Sequence, residues 1–264
     1  MTARRILKAH ADGNDFVFAS AEDPLSDPAG FARTVCDRHR GIGADGLIVF
    51  TLRERGATMR LWNADGSVSE LSGNGLRCLA AIVAHTQALP LGTTVAIDTT
   101  AGEKTLELLD RAGERYSFRA AMGQPADVRQ VQIPVLGETI TVSVLRVGNP
   151  QCIVLGPLPD AARFNLLGPA LSMHAMFPSG TNVEFAHIEA PNRVRILIWE
   201  RGVGPTSSSG TGASASAVAA SAHGGASRSI DVVAPGGTQR VEWRDDGVYL
   251  TGWAALVLEG QWLE

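Results

Sequence analysis

The 264-residue sequence has little cysteine, little tyrosine and no strong excess of charge. Its three cysteines, Cys36, Cys78 and Cys152, form no CxxC pair and are odd in number, which argues against a disulfide framework and a structural zinc site. Cys36 and Cys78 read as core residues, and a reducing, cytoplasmic setting is expected. The histidines at 10, 39, 85, 174, 187 and 223 never occur as HxxxH or beside a cysteine, so no metal site is expected. Lysine and arginine never run beyond a pair, and the formal net charge is −4, which leaves no electrostatic footprint for nucleic acid or an anionic membrane. No window of about 18 residues is uncharged and apolar throughout, and the start, MTARRILKAHADGND, lacks the apolar core of a leader. A small-molecule partner is what remains.

What the sequence does have is 45% hydrophobic residues, 29 glycines and one unusual stretch, WERGVGPTSSSGTGA at 199–213. The strand-like Val194, Ile196 and Ile198 precede it, and the alanine-rich Ala213–Ala222, which reads as a helix, follows. By composition alone, 207–221 would suit a flexible linker. A second copy decides otherwise. The offset of 137 that carries Trp62 to Trp199 also carries Ser72 to Ser209, Gly73 to Gly210 and Gly75 to Gly212. The same strand, turn and helix start therefore occurs in each half of the chain.

The rest of the pattern supports two similar lobes, residues 1–122 and 123–264. Short apolar runs flank a turn at Ala11-Asp12-Gly13-Asn14-Asp15, and Ser26-Asp27-Pro28 opens a helix expected to reach about Arg38. Gly41–Gly46 matches GxGxxG, but it follows a helical pattern and leads into a strand, the reverse of the dinucleotide-binding order. Strands are expected near 47–51, 59–62, 94–97, 104–109 and 116–120, then 131–135, 139–145 and 147–154, with a helix at 166–176. Gly148-Asn149 echoes Gly13-Asn14, and Gly180-Thr181-Asn182 echoes Gly43-Ala44-Asp45. A hairpin at 240–251 precedes the tail. Strands and helices alternate irregularly, so the expected class is α/β, a mixed sheet around a buried helix in each of two pseudo-symmetric lobes.

Helix starts leave backbone N–H groups without intrahelical partners. Gly73 and Asn74 in one lobe, and Gly210 and Thr211 in the other, are thus expected to hold an anion, favoured by both helix dipoles. Donors aimed at a carboxylate help most when charge grows on it, as when the neighbouring α-carbon loses its proton. Ser72 and Ser209, one on each helix start, would take and return that proton with neither metal nor organic cofactor. Helix capping alone explains the two serines equally well.

The segments KAHADGNDF, DRHRGIGADGL, WNADGSVSELSGNGLRC, VGNPQC, TNVEF, ERGVGPTSSSGTGA and LTGWAALVLEG resemble, in order and across essentially the whole chain, the motifs of the diaminopimelate epimerase family. The resemblance implies paired α/β lobes, each wrapped around a central helix, and interconversion of LL- and meso-diaminopimelate for lysine and cell-wall synthesis without a cofactor. It implies that Asn14, Asn63, Asn149 and Asn182, with Glu200 and Arg201, hold the distal amino-acid end. It also puts the reacting carboxylate on Gly73, Asn74, Gly210 and Thr211. The family carries a cysteine at each of the positions of Ser72 and Ser209, and usually a histidine at that of Gln151. An alkyl hydroxyl needs a neighbouring base where a thiol does not, and the sequence offers no obvious one. An isomerase acting on a more acidic unsaturated or keto acid, or an amino-acid-binding protein without turnover, stays open beside the epimerase reading. So does a homodimeric assembly.

Overall fold

The Asp12-Gly13 pair closes the first hairpin: both residues take left-handed backbone, φ 52° and 85°, and Ala11 pairs with Asn14 across them. That turn matches the natural twist of antiparallel strands. The computed structural model describes residues 3–69 and 72–263. Along the chain come β1 (Ala3–Ala11), β2 (Asn14–Ser20), α1 (Pro28–Val35), β3 (Gly46–Arg53), β4 (Gly56–Asn63), β5 (Val68–Ser69), α2 (Gly73–Thr86), β6 (Thr94–Thr99), β7 (Gly102–Ala112) and β8 (Arg115–Gly123). Then follow β9 (Ala126–Val135), β10 (Glu138–Val147), β11 (Asn149–Leu155), α3 (Ala161–Ser172), β12 (Asn182–Ala190), β13 (Arg193–Glu200), β14 (Gly204–Thr206), α4 (Gly210–His223), β15 (Ser229–Ala234), β16 (Gly237–Arg244) and β17 (Gly247–Leu263).

Contacts divide the chain into two units, Met1–Ala120 with Gly252–Glu264, and Ala121–Thr251. The expected division at 122/123 placed the whole tail in the C-terminal lobe. In the structure, residues 252–263 are a strand of the first unit, because β17 pairs antiparallel with β1 from Ala3↔Leu263 to His10↔Ala255.

In the first unit the pairings run β17–β1–β2–β3–β4–β6–β7–β8 and return to β17, closing an eight-stranded barrel. Two of its pairs, β2–β3 and β4–β6, are parallel, and each requires a crossover. The helix α1 lies in the first crossover and α2 in the second. Residues 74–84 of α2 are all buried, and Cys78, Leu79, Ile82 and Val83 pack with Phe16, Phe18, Ile48 and Phe118. A helix buried on every side is a core helix.

The second unit repeats the scheme as β9–β10–β11–β12–β13–β15–β16–β17, with parallel pairs β11–β12 and β13–β15 bridged by α3 and α4. Here α4 is buried from Gly212 to Ala220 against Ile153, Ile196, Ile198 and Val232. Its small residues let the strands approach closely.

Two helices differ from expectation. α1 stops at Val35 instead of Arg38, and the loop after it folds back, with the Ile42 and Gly43 N–H groups donating to Val35 O at 2.9 and 3.1 Å. α3 begins five residues earlier than expected, capped by Asp160, whose carboxylate accepts from Arg163 N at 2.8 Å, and it ends at Ser172.

Candidate active site

Each unit carries a serine-capped core helix. In the first, Ser72 takes extended backbone (φ −129°, ψ 122°) and its Oγ accepts from Gly75 N at 3.1 Å, while its carbonyl accepts from Leu76 N at 2.9 Å. The N–H groups left over by this cap are those of Gly73 and Asn74. A Cβ placed on Gly73 would meet nothing within 4 Å, so the ground over this turn is open.

Beneath the turn lies a network of charges. The buried Arg77 donates to Asn74 Oδ1 and stands 3.7 Å from the buried carboxylate of Asp12. Burial pulls the Arg77 guanidinium below its usual range, and Asp12 opposes that pull. Asn74 Nδ2 donates to Asn14 Oδ1 at 3.1 Å, and Asn14 Nδ2 donates to Asp45 Oδ2 at 2.7 Å. Asp45 and Asp15 share Arg38, each at 2.8 Å, and Lys8 lies 2.9 Å from Asp15. Burial pushes the Asp15 carboxyl up, but the Arg38 and Lys8 hydrogen bonds outweigh it and hold it below the usual value. The side chains of Asn14 and Asn74 are therefore tied within the unit. Asn63 is exposed and donates to Ser67 Oγ at 2.9 Å. Sequence reasoning missed Asp12, Arg77, Asp45, Arg38, Asp15 and Lys8, though all lie inside the quoted motifs.

In the second unit Ser209 repeats the cap (φ −145°, ψ 122°), accepting from Gly212 N at 3.1 Å, while its carbonyl accepts from Ala213 N at 3.0 Å. The N–H groups of Gly210 and Thr211 are left over. Ser209 differs from Ser72 in having an acid near it, the Glu200 carboxyl. Burial raises Glu200 above the usual carboxylate range, and the Ser209 hydroxyl only partly offsets this. Among the described residues Ser72 has no such carboxylate. Glu200, at the end of β13, is thus the acid available to Ser209 that the sequence did not place there.

Glu184, on β12, is a fully buried acid in this region, and neither composition nor spacing pointed to it. Its carboxyl is pushed well up, first by burial and then by the like charge of Glu200. It packs so closely on Gly212 that a Cβ there would lie 3.0 Å from Glu184 Cδ and closer still to Oε1. Gln151 is fully buried between Glu184, Asn149 and Thr211. Asn182 Oδ1 accepts from Arg201 N at 2.9 Å, and the exposed Arg201 side chain donates to Ser179 O at 2.8 Å. Glu200 and Arg201, adjacent in sequence, thus make separate contacts, the first at Ser209 and the second at the 179–180 turn.

The three cysteines are all buried. Burial pushes the Cys36 thiol up to about 12 and raises Cys78 and Cys152 further, so all three stay protonated. Among the described residues no group of three His, Cys, Asp or Glu side chains is placed to hold a metal ion. No described helix is long and apolar enough to cross a membrane.

The sequence matches the diaminopimelate epimerase family over residues 6–128 and 143–257. It is 40% identical over 275 residues to the diaminopimelate epimerase of Desulforudis audaxviator, covering 97% of this chain and 98% of that one. Among solved structures, a predicted epimerase of Pseudomonas aeruginosa superposes with a TM-score of 0.72 at 14% identity, covering 99% of each chain. A hydroxyproline epimerase from Agrobacterium vitis gives 0.70 at 17% identity, covering 98% of this chain and 92% of that one. The class is therefore an isomerase of the amino-acid epimerase and racemase type, built on the α/β fold expected from the sequence. Within that class, the chain belongs to the diaminopimelate epimerase family.

Proposed function

We propose that this protein interconverts LL- and meso-diaminopimelate, a step of lysine synthesis, with Ser72 and Ser209 as its proton-transfer groups and no cofactor. One observation carries the reading: Ser209 both caps α4 and lies near the half-buried Glu200 carboxyl, beside the two N–H groups that the cap leaves over. The α-carboxylate of the substrate is received by the N–H groups of Gly210 and Thr211 and by those of Gly73 and Asn74, which stabilise it most as the α-carbon ionises. Ser209 Oγ takes the α-proton while its own proton passes to Glu200. A carboxyl raised toward neutrality is a better base than an ordinary one. Ser72 supplies a proton in return, to the face opposite the one the first proton left, and the configuration inverts. Proton exchange with solvent restores Glu200 and Ser72. Asn14, Asn63, Asn149, Asn182 and Arg201 are assigned to the distal amino-acid end, where neutral amides and one cation suit a zwitterion. The partner is the free amino acid.

The test is incubation of the purified protein with LL-diaminopimelate, followed by chiral chromatography. Appearance of the meso isomer, lost in Ser209→Ala, is expected. Full conversion by Ser209→Ala would remove Ser209 from the chemistry.

A further inference from the structure

Gln151 occupies a place where its two ends meet different demands. One end of its amide lies 3.1 and 3.2 Å from the two Glu184 oxygens, and the other lies 2.6 Å from Asn149 Oδ1 and 3.2 Å from Thr211 Oγ1. Two donor patterns can be written. If Glu184 is ionised, the Gln151 NH2 must face it, and the Gln151 carbonyl is then pressed against Asn149 Oδ1 unless Asn149 also turns over. If Glu184 carries a proton, its O–H donates to Gln151 Oε1, and the NH2 donates to both Asn149 Oδ1 and Thr211 Oγ1 with no group turned.

The surroundings decide between them. Glu184 is fully buried, no cation pairs with it among the described residues, and the titratable groups that interact with it are Glu200 on β13 and the Cys152 thiol on β11. From α4, Gly212 lies against it and brings no charged side chain. A lone buried carboxylate beside another acid is the costly state.

We propose that Glu184 is a positioning residue, carried as the neutral acid, which sets the direction of a hydrogen-bond chain through Gln151 and Thr211 onto Ser209. Glu184 O–H donates to Gln151, and Gln151 donates to Thr211 Oγ1. Thr211, its oxygen occupied, donates to Ser209 Oγ, 3.4 Å away. Ser209 Oγ then accepts from Thr211 and from Gly212 N and gives its single proton to Glu200. Two donors on one hydroxyl oxygen stabilise it as negative charge develops. Glu184 touches no substrate in this scheme. The functional part rests on the epimerase reading above, whereas the protonation state does not.

The test has two arms, each with its own readout. Carbon NMR of protein labelled at the glutamate carboxyl carbons is expected to show one resonance, absent from Glu184→Gln, that keeps the position of a protonated carboxyl at neutral pH. A Glu184 resonance at the carboxylate position would overturn the proposal whether or not the protein turns over. In the second arm, Glu184→Leu is expected to lower kcat by roughly 10-fold with KM unchanged, since a supporting interaction of the transition state is lost. Glu184→Gln, whose NH2 donates to Gln151 as the acid does, restores most of it. Glu184→Leu with an unchanged kcat, or Glu184→Gln as slow as Glu184→Leu, would also overturn it. If Glu184→Leu fails to fold, Glu184→Gln against the parent still decides: a pH profile of kcat in which Glu184→Gln falls well below the parent at every pH contradicts the chain. Absence of epimerisation by the parent would end the reaction reading and leave the NMR arm to decide the proton.

Discussion

Replacing Arg77 by leucine tests the charge network beneath the first helix start. Arg77 and Asp12 are both buried and stand 3.7 Å apart. At an effective dielectric constant of ~20, two unit charges at that distance attract by about 4–5 kcal/mol. The attraction does not appear whole in stability, because both groups gave up water to meet. Removing one partner of such a pair costs about 3–5 kcal/mol, chiefly because the other charge is left buried and bare. Arg77→Leu should therefore destabilise the first unit by about 3–5 kcal/mol. Asp12→Asn removes the charge that faced Arg77 without disturbing the turn, since asparagine tolerates the left-handed backbone found at position 12. The double variant Asp12→Asn/Arg77→Leu should accordingly be more stable than Arg77→Leu alone. Urea denaturation of the four proteins gives the coupling directly. A cost below about 1 kcal/mol for Arg77→Leu, or a double variant that loses the sum of the two singles, would refute a buried, mutually dependent pair.

The remaining predictions concern substrate and pH. Ser72→Cys with Ser209→Cys should raise epimerisation above the parent, because each thiolate would sit at a helix N-terminus; the singles should gain much less, and a double variant that binds but does not turn over would count against the family's reaction. Arg201→Ala should weaken diaminopimelate binding by ~2–5 kcal/mol in calorimetry with little change in thermal stability, since among the described residues the side chain's one hydrogen bond is to the Ser179 carbonyl; unchanged affinity would make Arg201 structural. Asp15 titrates below its ordinary 3.8 in the fold, so its contribution is present above that value and lost as pH falls through the lower native one. Asp15→Asn should flatten this acid limb in unfolding measured against pH, and an unchanged limb would mean that Asp15 gains nothing from Arg38 and Lys8.

Much of this was legible because the signals are local. Ser72 and Ser209 each stand three residues before a glycine whose N–H they accept, and a serine before a small-residue helix reads as a cap wherever the helix goes. Repetition at a fixed offset added what composition obscured in 207–221. The start of α3 was hidden because Gly168 and Pro169 lie in its interior and weaken the pattern, while Asp160, the actual cap, sits among loop-like residues. The allegiance of 252–263 could not be read, since its partner β1 is at the other end of the chain and strand pairing leaves no local mark. For the same reason Glu200 at Ser209, and Glu184 at Gln151, emerge only once β11, β12 and β13 are in register. A residue's reach across neighbouring strands is a property of the fold, and the spacing of residues does not encode it.

Isotope placement distinguishes proton transfer at the α-carbon by two different groups from every other course of the reaction. LL-diaminopimelate is incubated with the protein in deuterated water and quenched at low conversion, and deuterium at Cα is measured separately in product and in recovered substrate. Two groups predict a meso product carrying solvent deuterium and recovered substrate still carrying its original hydrogen. A meso product that retains the substrate's own hydrogen would contradict transfer by two groups, as would bound substrate that exchanges nothing.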